Sequence, residues 1–146
     1  MIATKRLLTA MLLMALTAIS ATAQNAEGKT FNVSLYNNVY EIVFRLNLYD
    51  QDVIVPGQEL YGPLPGYLQR QGNSFTWAVV SAELTSPTEA RLQMINDFGS
   101  DDLTAELTQK DDSTYVFHQL SGATLKVPKN GKWQKLPKTF EMKRKK

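Results

Sequence analysis

Few side chains in this sequence are equipped for chemistry. His118 is the single histidine and there is no cysteine. A lone imidazole can serve as a general base or as one metal ligand. Without a second histidine or a thiolate, neither a cysteine-based triad nor an ordinary zinc site can be assembled. His118 lies in Tyr115-Val116-Phe117-His118-Gln119, a run of strand formers, and reads as a strand histidine turned to solvent. Oxygen ligands concentrate in Asn96-Asp97-Phe98-Gly99-Ser100-Asp101-Asp102. Asp97, Asp101 and Asp102 are the candidate calcium ligands, because a hard cation takes several oxygens from a tight loop. The spacing departs from the EF-hand pattern and no glutamate follows at the required distance. A solvated turn is the favoured reading, so no metal is expected.

Paired carboxylates could run glycoside hydrolysis. Asp50/Asp52, Asp101/Asp102 and Asp111/Asp112 all fall in turn-like segments, with no apolar wall to raise a pKa. Glycine-rich phosphate loops and nucleophile elbows are absent. No catalytic constellation emerges, so the chain is read as a non-enzyme without a cofactor.

Two segments could recognise a partner instead. In Pro56–Leu68, the residues Leu60, Tyr61, Leu64, Tyr67 and Leu68 set large apolar or aromatic groups in a proline- and glycine-rich frame. Proline lowers the entropy cost of holding a binding surface, and loops carry function more often than strands. The same side chains could fold back to plug one end of a barrel, and both readings stay open. The second segment is basic. Lys132, Lys135 and Lys138 recur every third residue with Trp133 and Phe140 interleaved, followed by Lys143, Arg144, Lys145 and Lys146. Such a pattern could stack bases or meet an anionic membrane. An edge strand protected by lysines, with a solvated tail, is favoured, and nucleic acid is not expected as a partner.

The elements that must position these groups read as strands. Tyr40, Ile42, Phe44, Leu46 and Leu48 alternate with polar positions over Tyr40–Tyr49. Period two recurs in Ser74–Leu84, Ala90–Asn96, Leu103–Leu107, Thr114–Leu120, Ala123–Val127 and Thr139–Lys143. In Ser74–Leu84, Phe75, Trp77 and Val79 fall opposite Ala78, Val80 and Ala82. A helix over 86–97 is the minority alternative, since Leu92 and Met94 alternate. Turn-forming residues punctuate the runs, and Asn130-Gly131 suits two successive positive φ angles. Asp50–Asn73, with Pro56, Pro63 and Pro65, reads as a loop or irregular edge. The pattern predicts an all-β antiparallel meander of about eight or nine strands, closed into a small up-and-down barrel. A two-sheet sandwich is the alternative.

Strand count makes this architecture resemble the lipocalin-type ligand carriers. Their G-x-W belongs near the first strand, whereas Gly131-Lys132-Trp133 lies near the C-terminus. No site residues are carried over, and the resemblance implies only a barrel holding a small apolar ligand.

The N-terminus carries an address. Lys5 and Arg6 precede an apolar run from Leu7 to Ile19, and Ala21-Thr22-Ala23 supplies the small-residue exit of a cleaved signal peptide. The run is shorter than the roughly twenty residues of a spanning helix. Residues 1–23 are thus a leader, 24–30 a flexible lead-in, and 31–146 one β domain with a basic tail. No transmembrane segment is expected in the mature chain. Without Lys5 and Arg6 the 16 bases fall to 14, equal to the 14 acids. A cysteine-free exported chain fits the bacterial periplasm or cell surface. The expected role is an exported binding module of the cell envelope, meeting an envelope protein or a glycan. The alternative is a lipocalin-like carrier of a small apolar ligand. N-terminal sequencing of exported protein should begin at Gln24; a mature chain retaining Leu7–Ile19 would overturn the leader assignment.

Overall fold

The computed structural model describes residues 30–146. The leader expected over 1–23, and all of the lead-in except Thr30, lie outside the described residues. Strands follow in the order β1 (Asn32–Asn37), β2 (Ile42–Asn47), β3 (Val53–Ile54), β4 (Pro63–Leu64), β5 (Gly66–Arg70) and β6 (Thr76–Ser86). Then come β7 (Glu89–Asn96), β8 (Asp102–Gln109), β9 (Thr114–Gly122), β10 (Lys126–Lys129), β11 (Lys132–Lys135) and β12 (Thr139–Arg144). One 3-10 turn, Glu59–Tyr61, sits between β3 and β4. Eight strands close an antiparallel barrel in the order β1-β12-β9-β8-β7-β6-β5-β2. This is the up-and-down barrel expected from the alternation, not the sandwich.

The barrel interior follows period two. Ala90, Leu92 and Met94 of β7, Leu103, Ala105 and Leu107 of β8, and Phe140 and Met142 of β12 all join the core. Trp77, Tyr115, Phe31, Phe44 and Phe117 are the bulkiest fully buried groups there, with Phe44 edge-on to Phe117 at 6.2 Å. The range 86–97 is strand, not helix. In β6 the expected phase fails at one point. A bulge between Val79 and Ser81 adds an unpaired residue, after which Ala82 pairs with Leu92 and packs on the core. One inserted residue exchanges the two faces of a strand.

The segment Asp50–Asn73 holds more order than its composition suggests. It contributes β5, a barrel strand between β2 and β6. Gly66 opens that strand because the backbones touch: a Cβ there would lie 2.2 Å from the Arg45 carbonyl oxygen. Here glycine marks a close approach rather than a weakened strand. At the Asn130-Gly131 turn, φ values of 54° and 76° match the expected hairpin geometry.

The chain covers both ends of its own barrel. At the end carrying the β5–β6 and β7–β8 connections, Leu125, Val127 and Leu136 from the β10–β11 excursion enter the core. The Trp77 indole N–H donates to the Lys126 carbonyl at 2.8 Å and fastens that excursion. At the opposite end Phe31 packs edge-on to Tyr115 at 6.3 Å. The Tyr115 hydroxyl donates to the Thr30 carbonyl at 2.6 Å and accepts from Arg144 Nη2 at 2.7 Å. Burial pushes the Tyr115 phenol up from its ordinary pKa, with nearby Arg144 opposing.

Two outcomes test this packing. Trp77→Ala should destabilise the fold by about 3–5 kcal/mol in denaturant melts, as large aromatic truncations in cores do. A loss below roughly 1 kcal/mol would contradict the burial of Trp77. On the outer face, the hydrogen bond and charge of Glu106 hold the Glu89 carboxyl above its ordinary pKa. A carboxyl raised in the fold is most favourable below its unfolded pKa and loses that advantage as pH rises through the folded value. Glu89→Gln should therefore be more stable than the parent at pH 7, with the difference gone near pH 4, around the free-glutamate pKa. Urea melts at both pH values decide it; a variant less stable at pH 7 would contradict the assigned repulsion.

Candidate functional site

Two excursions leave the barrel, and they carry the exposed Ile54, Leu60, Tyr61 and Trp133, while Val80, Leu84 and Leu120 are exposed on barrel strands. The first is a strap made of β3, the 3-10 turn and β4. Val53 pairs with Leu64 and Ile54 with Pro63. The strap lies on the outside of the barrel, with β3 against β5 and β4 against β6. Val53, Val55 and Ala78 are buried yet belong to no part of the interior cluster. They form a small second core between strap and wall. Turns stiffen the strap: the Gln58 N–H donates to the Val55 carbonyl at 3.0 Å and the Tyr61 N–H to the Gln58 carbonyl at 3.1 Å. The Gln58 side-chain amide donates to the Asp97 carboxylate, which also accepts from the Thr76 hydroxyl at 3.4 Å.

The strap divides the residues that the sequence grouped together. Leu60 is 103% exposed and Tyr61 46%. Ile54 stands out beside them at 47%. Leu64 and Tyr67 are half-buried. Leu68 is fully buried in the barrel core, facing Trp77 across the β5–β6 ladder. Period two within β5 separates Tyr67 from Leu68, so no single surface can hold both. The strap is neither a barrel plug nor a free loop; it is a rigid ornament on the wall.

The second excursion is the β10–β11 hairpin. Its register sets Lys126 against Lys135, Pro128 against Trp133 and Lys129 against Lys132. The Lys126 ammonium stands 5.0 Å from the centre of the Trp133 ring. Phe75 links this ring to a neighbouring loop, lying 4.9 Å from Trp133 and 5.6 Å from Phe98 between ring centres. Arg70 braces the hairpin by donating to the Pro128 carbonyl at 2.8 Å while it pairs with Glu41. Arg70 in turn holds the Glu41 carboxyl below its ordinary pKa. The lysine-protected edge expected from the sequence falls on this hairpin, since the closed barrel has no edge. Phe98 escaped the sequence reading because it sits inside an acidic turn.

The acidic segments serve as turn fittings. The buried Asn96 side chain accepts from the Ser100 and Asp101 N–H groups at 3.0 and 3.3 Å and organises that loop. Asp97, Asp101 and Asp102 do not converge, and among the described residues no cluster of three or more His, Cys, Asp or Glu could hold a metal ion. The Asn47 amide donates to Asp50 and Asp52 at 3.3 and 3.2 Å. Asp111 accepts from the Ser113 N–H at 2.9 Å, which lowers its pKa. His118 is exposed on β9, with Nδ1 2.6 Å from the Thr139 hydroxyl. A shallow groove of about 240 Å³ at the β6–β7 turn is lined by Leu84, Thr85, Ser86 and Pro87, none of them ionisable.

Comparison of the chain with protein-family models, with curated proteins and with solved structures finds no match.

Proposed function

We propose that this chain is a non-enzymatic binding module of the bacterial cell envelope, and that its strap docks a protein partner. The observation that carries this reading is the strap's two-sided construction. Val53 and Val55 lock it to the wall, while Ile54, Leu60 and Tyr61 are held outward. Holding a leucine fully in water on an ordered turn does nothing for folding. A preorganised apolar group beside a tyrosine suits a partner that removes both from water. The leader-like N-terminus supports an exported setting. The carrier alternative draws no such support, because Trp77, Phe44, Phe117 and Tyr115 occupy the barrel interior where a ligand would lie.

The double variant Leu60→Ser, Tyr61→Ala tests the proposal. Stability should stay within about 0.5 kcal/mol of the parent, as for surface changes away from special features. Cross-linking to a defined envelope protein in the native host, present in the parent, should be lost. Unchanged cross-linking would reject the strap as the docking surface. A stability loss above roughly 2 kcal/mol would assign the two side chains to structure instead.

A further inference from the structure

We infer that the β10–β11 hairpin is a second binding site, for an acidic polysaccharide, built from Trp133 and the lysines around it. The inference does not depend on the strap.

Electrostatics supplies the first argument. Lys126 faces Lys135 and Lys129 faces Lys132 directly across the ladder. Like charges opposite one another destabilise a sheet pair. None of the four forms an ion pair: the two among the described residues are Arg70–Glu41 and Lys110–Glu141. Glu41, the acid that feels Lys129, is already engaged by Arg70. Lys138 follows immediately before β12 and adds to the same positive end. The hairpin therefore carries a positive field that its own chain offsets only in part, through Glu41 near Lys129.

The second argument is the aromatic ring. Directly opposite residues share a face of a ladder, so Trp133, Pro128, Lys126 and Lys135 present one surface. Trp133 is 46% exposed although Phe75 backs it. The Lys126 ammonium stands over the ring, 5.0 Å from its centre, with Lys135 opposite Lys126 across the ladder, so cation and aromatic surface are offered together. A sugar ring has an apolar C–H face for such a surface, and its carboxylates or sulfates would meet the lysines. The surface is also held in place before any ligand arrives. Trp77 fixes the Lys126 carbonyl, Arg70 fixes the Pro128 carbonyl, and Val127 and Leu136 are sunk in the core.

The chemistry selects among polyanions. Lysines offer unforked point charges that meet scattered sulfates and carboxylates but also phosphates, so the selection rests on the aromatic ring and the neighbouring acids. Stacking of successive bases requires a row of open aromatic faces, and here Phe75, between the two outer rings, is only 6% exposed. An anionic bilayer would have to accept Asp97, Asp101 and Asp102 around the exposed Phe98. A carboxylated or sulfated glycan needs only the hairpin.

Binding of heparin and of polygalacturonate, followed by tryptophan fluorescence, is the test. Trp77 is buried and Trp133 exposed, so a ligand-induced change in the parent reports Trp133. Affinity for at least one of the two polymers should fall as salt rises. It should drop roughly tenfold in the double variant Lys126→Gln, Lys135→Gln, the size of one lost stacked or paired cation. Trp133→Phe should abolish the spectral change while weakening binding less. Lys145→Gln, Lys146→Gln, in the tail, should bind like the parent, and so should Leu60→Ser, Tyr61→Ala. Absence of binding to both polymers would overturn the inference. So would tighter binding to single-stranded DNA or to phosphatidylglycerol vesicles. Lysine variants that keep full affinity but self-associate would also overturn it, leaving the lysines as edge protection alone.

Discussion

Closure of the barrel between its first and last strands is the constraint on which the rest depends. The β1–β12 ladder is short, with Leu35 opposite Arg144 and Tyr36 opposite Lys143. Flanking bonds extend the seam. The Lys145 N–H donates to the Ser34 carbonyl at 2.8 Å. The Asn37 amide donates to the Glu141 carbonyl at 2.8 Å, joining residues 104 apart in sequence. Arg144 then crosses from the seam to the Asp112 carbonyl and the Tyr115 hydroxyl. With no cysteine to staple it, the fold relies on this seam to remove two open strand edges. Contacts so distant in sequence are entropically expensive to form, so the core must reward them.

That reward comes from filling the interior with side chains, which decides where recognition can occur. A barrel of eight strands is wide enough for a layer of large residues or for one small ligand. Here aromatic and branched groups take the space, and the hairpin and the Phe31–Tyr115 pair cover the ends. The two surfaces proposed for recognition accordingly lie outside the barrel, on the two excursions. Both are built alike: one face anchors on the barrel through buried valines, while the other holds aromatic or apolar groups in water. Their chemistries differ. The strap presents Ile54, Leu60 and Tyr61; the hairpin presents Trp133 among lysines.

The division between sequence and tertiary structure is visible residue by residue. Alternation alone identified the inward faces of β7, β8 and β12, because a strand's period of two is intrinsic to its backbone. It also marked Asn130-Gly131 as a hairpin turn, since positive φ is a local property. The barrel class followed from many short strands needing their edges removed. The absence of cysteine and of a second histidine excluded cysteine-based triads and ordinary zinc sites without any coordinates. Four features required the fold. The bulge after Val79 moved Ala82 inward. Gly66 was called on to let two backbones touch. The 56–68 segment was divided between wall, strap and core. Lys126 was set opposite Lys135 beside Trp133. Each of these depends on which strand lies next to which, and neighbours in a barrel are chosen by register and closure rather than by local propensity. Composition determined what kinds of groups this protein can offer; only the closed barrel decided which of them face water together.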